Sequence, residues 1–286
     1  MRPWVVVMMA LVGVGWPWEA PSAPALRLGI ASILSPEVAR PLYLPLARAL
    51  GSRLNRPVDL VQRFGYGRLN DLLARGELDM AVLCTGGYCD VVNRGGGEPL
   101  LVPVMGGSSR YRALLVARKG SGIGSFADLE GRTMVFTDPL SLTGFVYPWA
   151  RLKEFGGARR WLGDCFFSRS HDRSLRSVAL GLADAGCVDS RVWGYLTATH
   201  PETVAGLVVV ERSEAFPIAP LVVSKRLPAG IRSQLKRVLV ALSRDEEGQT
   251  ILAQLGIEGF VEPDPKGYAR VLDLFRRVEA EVAREP

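Results

Sequence analysis

The stretch Phe136-Thr137-Asp138-Pro139-Leu140-Ser141-Leu142-Thr143-Gly144 concentrates more chemistry than any other segment of the 286-residue chain. It follows a β-like run, 133–136, and precedes a segment that reads as helix, 145–155. Hydroxyl side chains and a glycine therefore sit where a strand hands over to a helix N-terminus. The first turn of a helix has backbone N–H groups without partners and carries the positive end of the macrodipole. Ser141 and Thr143 add hydroxyl donors, and Gly144 lets a ligand approach the backbone. The chemistry that suits such a place is capture of an anion. The same residues also read as an ordinary hydroxyl N-cap after an Asp-Pro turn, and both readings stand at this point.

These residues need elements to hold them. Strands and helices alternate from Leu26-Arg27-Leu28-Gly29-Ile30 onward. Ser35-Pro36-Glu37 opens a helix with a hydroxyl N-cap and proline at the first position, and Val38, Leu42, Leu46, Leu50 and Leu54 recur at helical spacing. Further strands are predicted at 57–61, 80–83, 111–117, 133–136, 166–168, 185–189, 208–210 and 221–223. Helices are predicted at 67–75, 145–155, 175–182, 191–199, 231–242, 245–255 and 266–281. Ser125-Phe126-Ala127-Asp128 has the form of a capping box. This βαβα order argues for α/β lobes with mainly parallel sheets. Ligands of such sheets bind outside the carboxyl ends of strands. The ends to compare are Ala31-Ser32, Gly65-Tyr66, Thr85 to Tyr88, Ser141 to Gly144, His171 and Asp189. Asp189 also reads as a helix cap, His171 as a helix-start residue, and Tyr66 and Tyr88 as surface aromatics.

Met1-Arg2, an apolar run from Trp4 to Trp16 and Ala23-Pro24-Ala25 have the layout of a secretory signal peptide. Cleavage is expected near Ala25, giving an exported, periplasmic protein. The apolar run is short for a membrane span, and no cysteine near the cleavage point indicates a lipid anchor. The chain carries 35 Lys and Arg against 29 Asp and Glu, a net charge of +6. That balance suits an anionic small ligand, and without a basic stripe interleaved with aromatics it gives no basis for nucleic-acid binding. Four cysteines, Cys84, Cys89, Cys165 and Cys187, allow three disulfide connectivities in an exported chain. Pairing of Cys165 with Cys187, and of Cys84 with Cys89, is the simplest arrangement. The C-x4-C spacing is not that of a zinc knuckle, so neither metal nor cofactor is expected.

In combination, three motifs are recognisable. Asp138-Pro139-Leu140-Ser141-Leu142-Thr143-Gly144, Ser170-His171-Asp172-Arg173-Ser174 and Ala183-Asp184-Ala185-Gly186-Cys187-Val188-Asp189 occur in this order. The chain resembles the phosphate/phosphite/phosphonate-binding proteins of ABC importers, the PhnD-like branch of periplasmic binding proteins. The first motif looks like that family's D-P-x-S-x-[ST]-G loop and the second like its S-H-D-x-S. The resemblance implies a type II periplasmic-binding fold, an α/β architecture of two lobes joined by a two-strand hinge. Its implied segments are a signal peptide at 1–25, lobe 1 at 26–117 and 214–286, and lobe 2 at 118–213. It further implies that Ser141, Thr143 and loop backbone groups at Leu142 and Gly144 hold ligand oxygens, with His171 donating from a second helix start. Tyr66, Thr85 and Tyr88 would close over the ligand from lobe 1, with Asp189 near the pocket. Two departures stand out: Leu142 replaces a small polar residue, and Cys84 and Cys89 flank the lobe 1 contribution.

The function so implied is capture of a small phosphorus oxyanion for a membrane permease, by a monomer and without catalysis. Two alternatives share the residues. A sensor would present ligand state to a membrane histidine kinase. A hydrolase would use Ser141, His171 and Asp189 as nucleophile, base and orienter, although no G-x-S-x-G elbow is present.

Overall fold

The computed structural model describes residues 23–284. The apolar N-terminal run and most of the expected signal segment lie outside the described residues. The first half contains β1 (Leu26–Ile30), α1 (Pro36–Leu54), β2 (Val58–Gln62), α2 (Tyr66–Ala74), β3 (Met80–Val82), α3 (Thr85–Asn93), β4 (Gly97–Val104), β5 (Arg110–Arg118) and β6 (Thr133–Phe136). There follow α4 (Tyr147–Leu152), α5 (Ala158–Trp161), β7 (Asp164–Phe167), α6 (His171–Ala179), β8 (Ala185–Asp189), α7 (Ser190–Thr199), α8 (Pro201–Val204) and β9 (Leu207–Pro217). The chain closes with β10 (Leu221–Ser224), α9 (Ala229–Leu242), α10 (Glu246–Gln254), β11 (Gly259–Val261) and α11 (Pro265–Val282).

Two sheets organise these elements, in the orders β11-β4-β10-β3-β1-β2 and β7-β6-β8-β5-β9. Both are mixed rather than mainly parallel. β1 runs parallel to β2 and β3, and β6 parallel to β7 and β8, but β10, β4, β11, β5 and β9 all enter antiparallel pairs. The reason lies in the crossings. The chain leaves the first sheet after β4, β5 enters the second beside β8, and β9 returns along β5, so β5 runs antiparallel to both of its neighbours. The Tyr111–Ala117 run expected at the end of lobe 1 pairs instead with the second sheet, Ala113 opposite Asp189 and Tyr111 opposite Phe216. The chain crosses between sheets at 105–109 and 218–220, not near 117 and 213.

Apolar faces cement each layer. Leu28, Ile30, Met80 and Val223 pack with Leu46, Leu50, Leu239 and Leu252 from α1, α9 and α10. Leu114, Val116, Val135 and Val188 pack with Leu175, Val178, Val192 and Leu196 from α6 and α7. Phe136, Phe145, Trp149 and Phe167 form an aromatic cluster behind the 137–144 loop, with ring centroids 5.0 to 6.0 Å apart. Each fully buried side chain of this size contributes roughly 1.5–3 kcal/mol. The loop is therefore anchored to a stiff base. α11 packs against α3 on one side and α4 on the other, tying the two sheets' layers together.

The predicted disulfides are not formed: all four cysteines are free thiols. β6 lies between β7, which carries Cys165, and β8, which carries Cys187. Two strand spacings amount to about 9–10 Å, beyond the roughly 7 Å that a disulfide spans between Cα atoms. Cys84 and Cys89 sit five residues apart on and before α3, which places them on different helix faces. The Cys84 sulfur is used otherwise. It accepts from the Gly87 N–H at 3.1 Å and donates to the Leu140 carbonyl at 3.2 Å.

Candidate functional site

The loop after β6 is built as the sequence predicts, with one addition. Ser141 caps a single π-helical turn, Leu142–Val146, that runs into α4. Its Oγ accepts the Gly144 N–H at 3.0 Å. The peptide N–H groups of Leu142 and Thr143, in that first turn, have no acceptor within the described residues. Gly144 is required by packing: a Cβ there would lie 2.3 Å from the Thr137 Oγ1 and 2.9 Å from the Ser141 Oγ. Ser141 and Thr143 are both buried.

His171, at the start of α6, lies against this loop and is 1% exposed. Its Nδ1 accepts from the Asp189 N–H at 3.3 Å and lies 3.1 Å from the Thr137 Oγ1, while its Nε2 is 3.3 Å from the Ser141 Oγ. A backbone N–H can only donate, so the network assigns the proton of the neutral ring to Nε2. Burial pushes the imidazole pKa down to about 4, against the pull of the Asp189 charge. The ring is therefore neutral at ordinary pH and donates toward Ser141. With Gly144 N–H and Nε2–H both directed at its oxygen, the Ser141 hydroxyl proton is left to point outward.

Tyr66, at the N-terminus of α2, faces the loop from the other sheet. Its hydroxyl is buried and has no hydrogen-bond partner among the described residues. Burial first, then the neighbouring Cys84 and the carboxylates of Asp138 and Asp189, raise its pKa well above the usual phenol value. The hydroxyl is thus a donor without an acceptor. Thr85 is committed elsewhere, donating to the Pro217 carbonyl at 3.0 Å and accepting from the Tyr111 hydroxyl at 2.9 Å. Tyr88, also on α3, lies edge-on to Tyr268 of α11 with ring centroids 5.0 Å apart. The geometry gathers Tyr66, Ser141, Leu142, Thr143, Gly144, His171 and Asp189, keeps Thr85 at the edge and turns Tyr88 toward α11.

Asp189 is a cap and an ion pair at once. Its carboxylate accepts the Arg191 N–H at 2.8 Å and grips the Arg191 guanidinium at 2.5 and 3.1 Å. Burial would raise its pKa, but Arg191 prevails and holds it below the usual range. The Arg191 guanidinium in turn stacks 4.3 Å over the Tyr111 ring. The carboxylate is therefore neutralised rather than presented to the pocket.

Arg191, Tyr111, Thr137 and Asp138 belong to the site, although sequence spacing singled out none of them as ligand contacts. Only Asp138 had a usable signal, as the first residue of the Asp-Pro motif. Its carboxylate accepts the Leu140 N–H at 3.0 Å and, across the cleft, the Tyr66 N–H at 3.3 Å, and burial raises its pKa. A parallel bond joins the Asp172 carboxylate to the Ser35 N–H at 2.9 Å, at the start of α1. Ser35 makes no side-chain cap of its own. The His171 N–H donates to the Ile33 carbonyl at 3.0 Å. Gly86 completes the approach of the two halves, since a Cβ there would stand 2.2 Å from the Leu140 oxygen.

Chemically, the pocket offers peptide N–H groups, outward hydroxyls and a neutral imidazole, arranged around one buried tyrosine. It is a donor-rich cradle with its fixed charges already paired. No group of three or more His, Cys, Asp or Glu that could hold a metal ion occurs among the described residues.

Comparisons with known proteins bear on the family and the fold. A curated relative, a phosphate-import protein PhnD from Mycolicibacterium smegmatis, is 30% identical over 155 residues, covering 50% of this chain and 48% of that protein. The match thus spans about half the length of the relative. A binding-protein component of an ABC phosphonate transporter from Pseudomonas aeruginosa superposes with a TM-score of 0.84 at 21% identity, over 90% of this chain and 88% of that one. PhnD1 from Prochlorococcus marinus, solved with methylphosphonate, gives 0.81 at 17% identity over 89% and 98%. These likenesses establish the periplasmic-binding-protein fold. The family model described as "ABC transporter, phosphonate, periplasmic substrate-binding protein" matches residues 28–268, and the chain belongs to that family.

Proposed function

We propose that this protein captures a small phosphorus oxyanion, phosphate, phosphite or a phosphonate, between its two lobes and delivers it to the permease of an ABC importer. The observation that carries the reading is the buried, unpartnered hydroxyl of Tyr66 opposite the open donors of the Ser141–Gly144 turn. An unsatisfied buried donor costs about 1–3 kcal/mol, and an oxyanion spanning the cleft would satisfy it. The curated relative's role in phosphate import and the methylphosphonate held by the Prochlorococcus protein support the same ligand class. The lobes in this reading are 26–104 with 221–284, and 110–217, with the hinge at the two crossings between the sheets. Export follows the family, with the expected signal segment at 1–25.

The hydrolase alternative conflicts with the hydrogen bonding. A general base at His171 would need an unprotonated Nε2 facing Ser141 and a carboxylate holding Nδ1–H. Here Nδ1 accepts from a peptide N–H, and the Asp189 carboxylate is held by Arg191. A sensor feeding a kinase would share the pocket, and nothing in the pocket favours it.

The test is calorimetry with phosphate, phosphite, methylphosphonate, 2-aminoethylphosphonate and sulfate on wild type, Ser141→Ala and Leu142→Ala. A charge-assisted hydrogen bond is worth roughly 1.5–3 kcal/mol, so Ser141→Ala should weaken the best ligand about 10- to 150-fold. Leu142→Ala keeps its N–H and should change little. Equal losses in the two variants would show that this turn does not hold the anion.

A further inference from the structure

A cavity of about 150 Å³ borders the Asp189–Arg191 pair, sharing Asp189 with the oxyanion cradle. Its walls come from both lobes. α1 contributes Leu42, Tyr43 and Leu46, the first sheet Leu28 and Met80, and the second lobe Arg191 along with Val192 and Tyr195 of α7. Leu28, Leu46, Met80 and Val192 are buried and apolar. A largely apolar space of this size holds a benzene-sized molecule.

The cavity also has a polar end. The Arg191 guanidinium places Nε and Nη2 on Asp189, while among the described residues Nη1 reaches only the Met105 sulfur, at 3.8 Å. A thioether is a weak acceptor, so this part of the guanidinium keeps donors for an oxygen. Burial raises the Tyr43 pKa and the Arg191 charge lowers it in part, which places the phenol within reach of that charge. The Tyr43 hydroxyl makes no hydrogen bond among the described residues.

We propose that this cavity is a second small-molecule site, for a short apolar chain or ring bearing one anionic head that meets Arg191 Nη1 and the Tyr43 hydroxyl. The apolar body fills the space between α1 and the first sheet. The site adjoins the phosphorus-oxyanion pocket at Asp189 but takes its ligand on Arg191, Tyr43 and the apolar wall rather than on the Ser141–Gly144 turn, and does not depend on that reading.

Calorimetry and ligand-detected NMR with hexanoate and benzoate, against hexylamine as the cationic control, test it on the full mature chain. Saturable binding of the two carboxylates is expected, with Kd below about 1 mM. Leu42→Trp, which fills the cavity from a half-buried position, should weaken them at least tenfold. Ser141→Ala should leave them unchanged, which separates this site from the cradle. Tyr43→Phe should weaken both acids and serves in place of Leu42→Trp should the latter not unfold cooperatively. Absence of saturable binding to wild type overturns the proposal, as do equal affinity for hexylamine and loss of binding in Ser141→Ala.

Discussion

The neutral state of His171 has a measurable price in acid. Its pKa of about 4 in the folded protein compares with about 6.5 in an unfolded chain. Between those values the unfolded state binds the extra proton, so stability rises with pH across this window and is lost as pH falls through it. Each unit of difference is worth about 1.4 kcal/mol, giving a loss of about 3 kcal/mol between pH 7 and pH 4 from this residue alone. For a chain of this length that corresponds to a fall of roughly 6–12 °C in Tm. His171→Gln is the informative partner, because its amide can still donate to the Ser141 oxygen without titrating. Carboxylates elsewhere, such as Asp245, whose pKa Arg53 lowers to about 2, act equally in both proteins and cancel in the difference. Chemical unfolding of wild type and His171→Gln at pH 7, 6, 5 and 4 would then show the gap between them narrowing or reversing as pH falls. A wild-type-minus-variant difference that stays flat from pH 7 to 4 would mean that His171 is not held neutral by burial.

Further consequences lie in the same cleft. Tyr66→Phe deletes the unpartnered hydroxyl, so the unliganded protein should gain about 1–3 kcal/mol in urea unfolding while affinity for its oxyanion falls. A drop in both would contradict the assignment. Gly144→Ala forces a methyl to within 2.3 Å of the Thr137 hydroxyl, and a loss of more than about 2 kcal/mol is expected by thermal unfolding. In thiol titration, the exposed Cys165 should react in the native protein, and Cys84, Cys89 and Cys187 only after denaturation. Burial supports that order, having pushed the Cys89 thiol up to about 12. Peptide mapping that finds any intramolecular disulfide would refute it.

Local patterns carried much of the fold into view. β1 and β8 occupy the predicted residues, the Ser125 capping box forms with both of its bonds, and the helix of α1 runs over the predicted leucine stripe. α3 went unread because Thr85-Gly86-Gly87 looks like a break. Those glycines exist for the close approach of Leu140, which only the tertiary fold imposes. β4 went unread because Pro99 and Pro103 argue against a strand, yet the strand forms between β10 and β11. The same division holds in the site. The Asp138–Gly144 loop is contiguous and could be found by eye. Tyr111 and Arg191 meet because β5 pairs with β8 in one register, and no spacing in the sequence encodes that register. The disulfide expectation failed for the same reason, since sequence separation says nothing of the strand that intervenes.

The carboxylates of Asp138 and Asp172, each seated on the starting turn of a helix from the opposite lobe, separate the strength of capture from its selectivity. If the lobes part as the proposed reading requires, both bonds break, and Asp172 meets Ser35 rather than the cradle. Apparent affinity is the pocket's own affinity scaled by the fraction of molecules already shut. A change at Asp172 or Ser35 can therefore retune how tightly cargo is held, and how readily it is surrendered, without altering which cargo is recognised. Two relatives with the same cradle could then serve a scarce nutrient and an abundant one, differing only in how hard the clasp is to open.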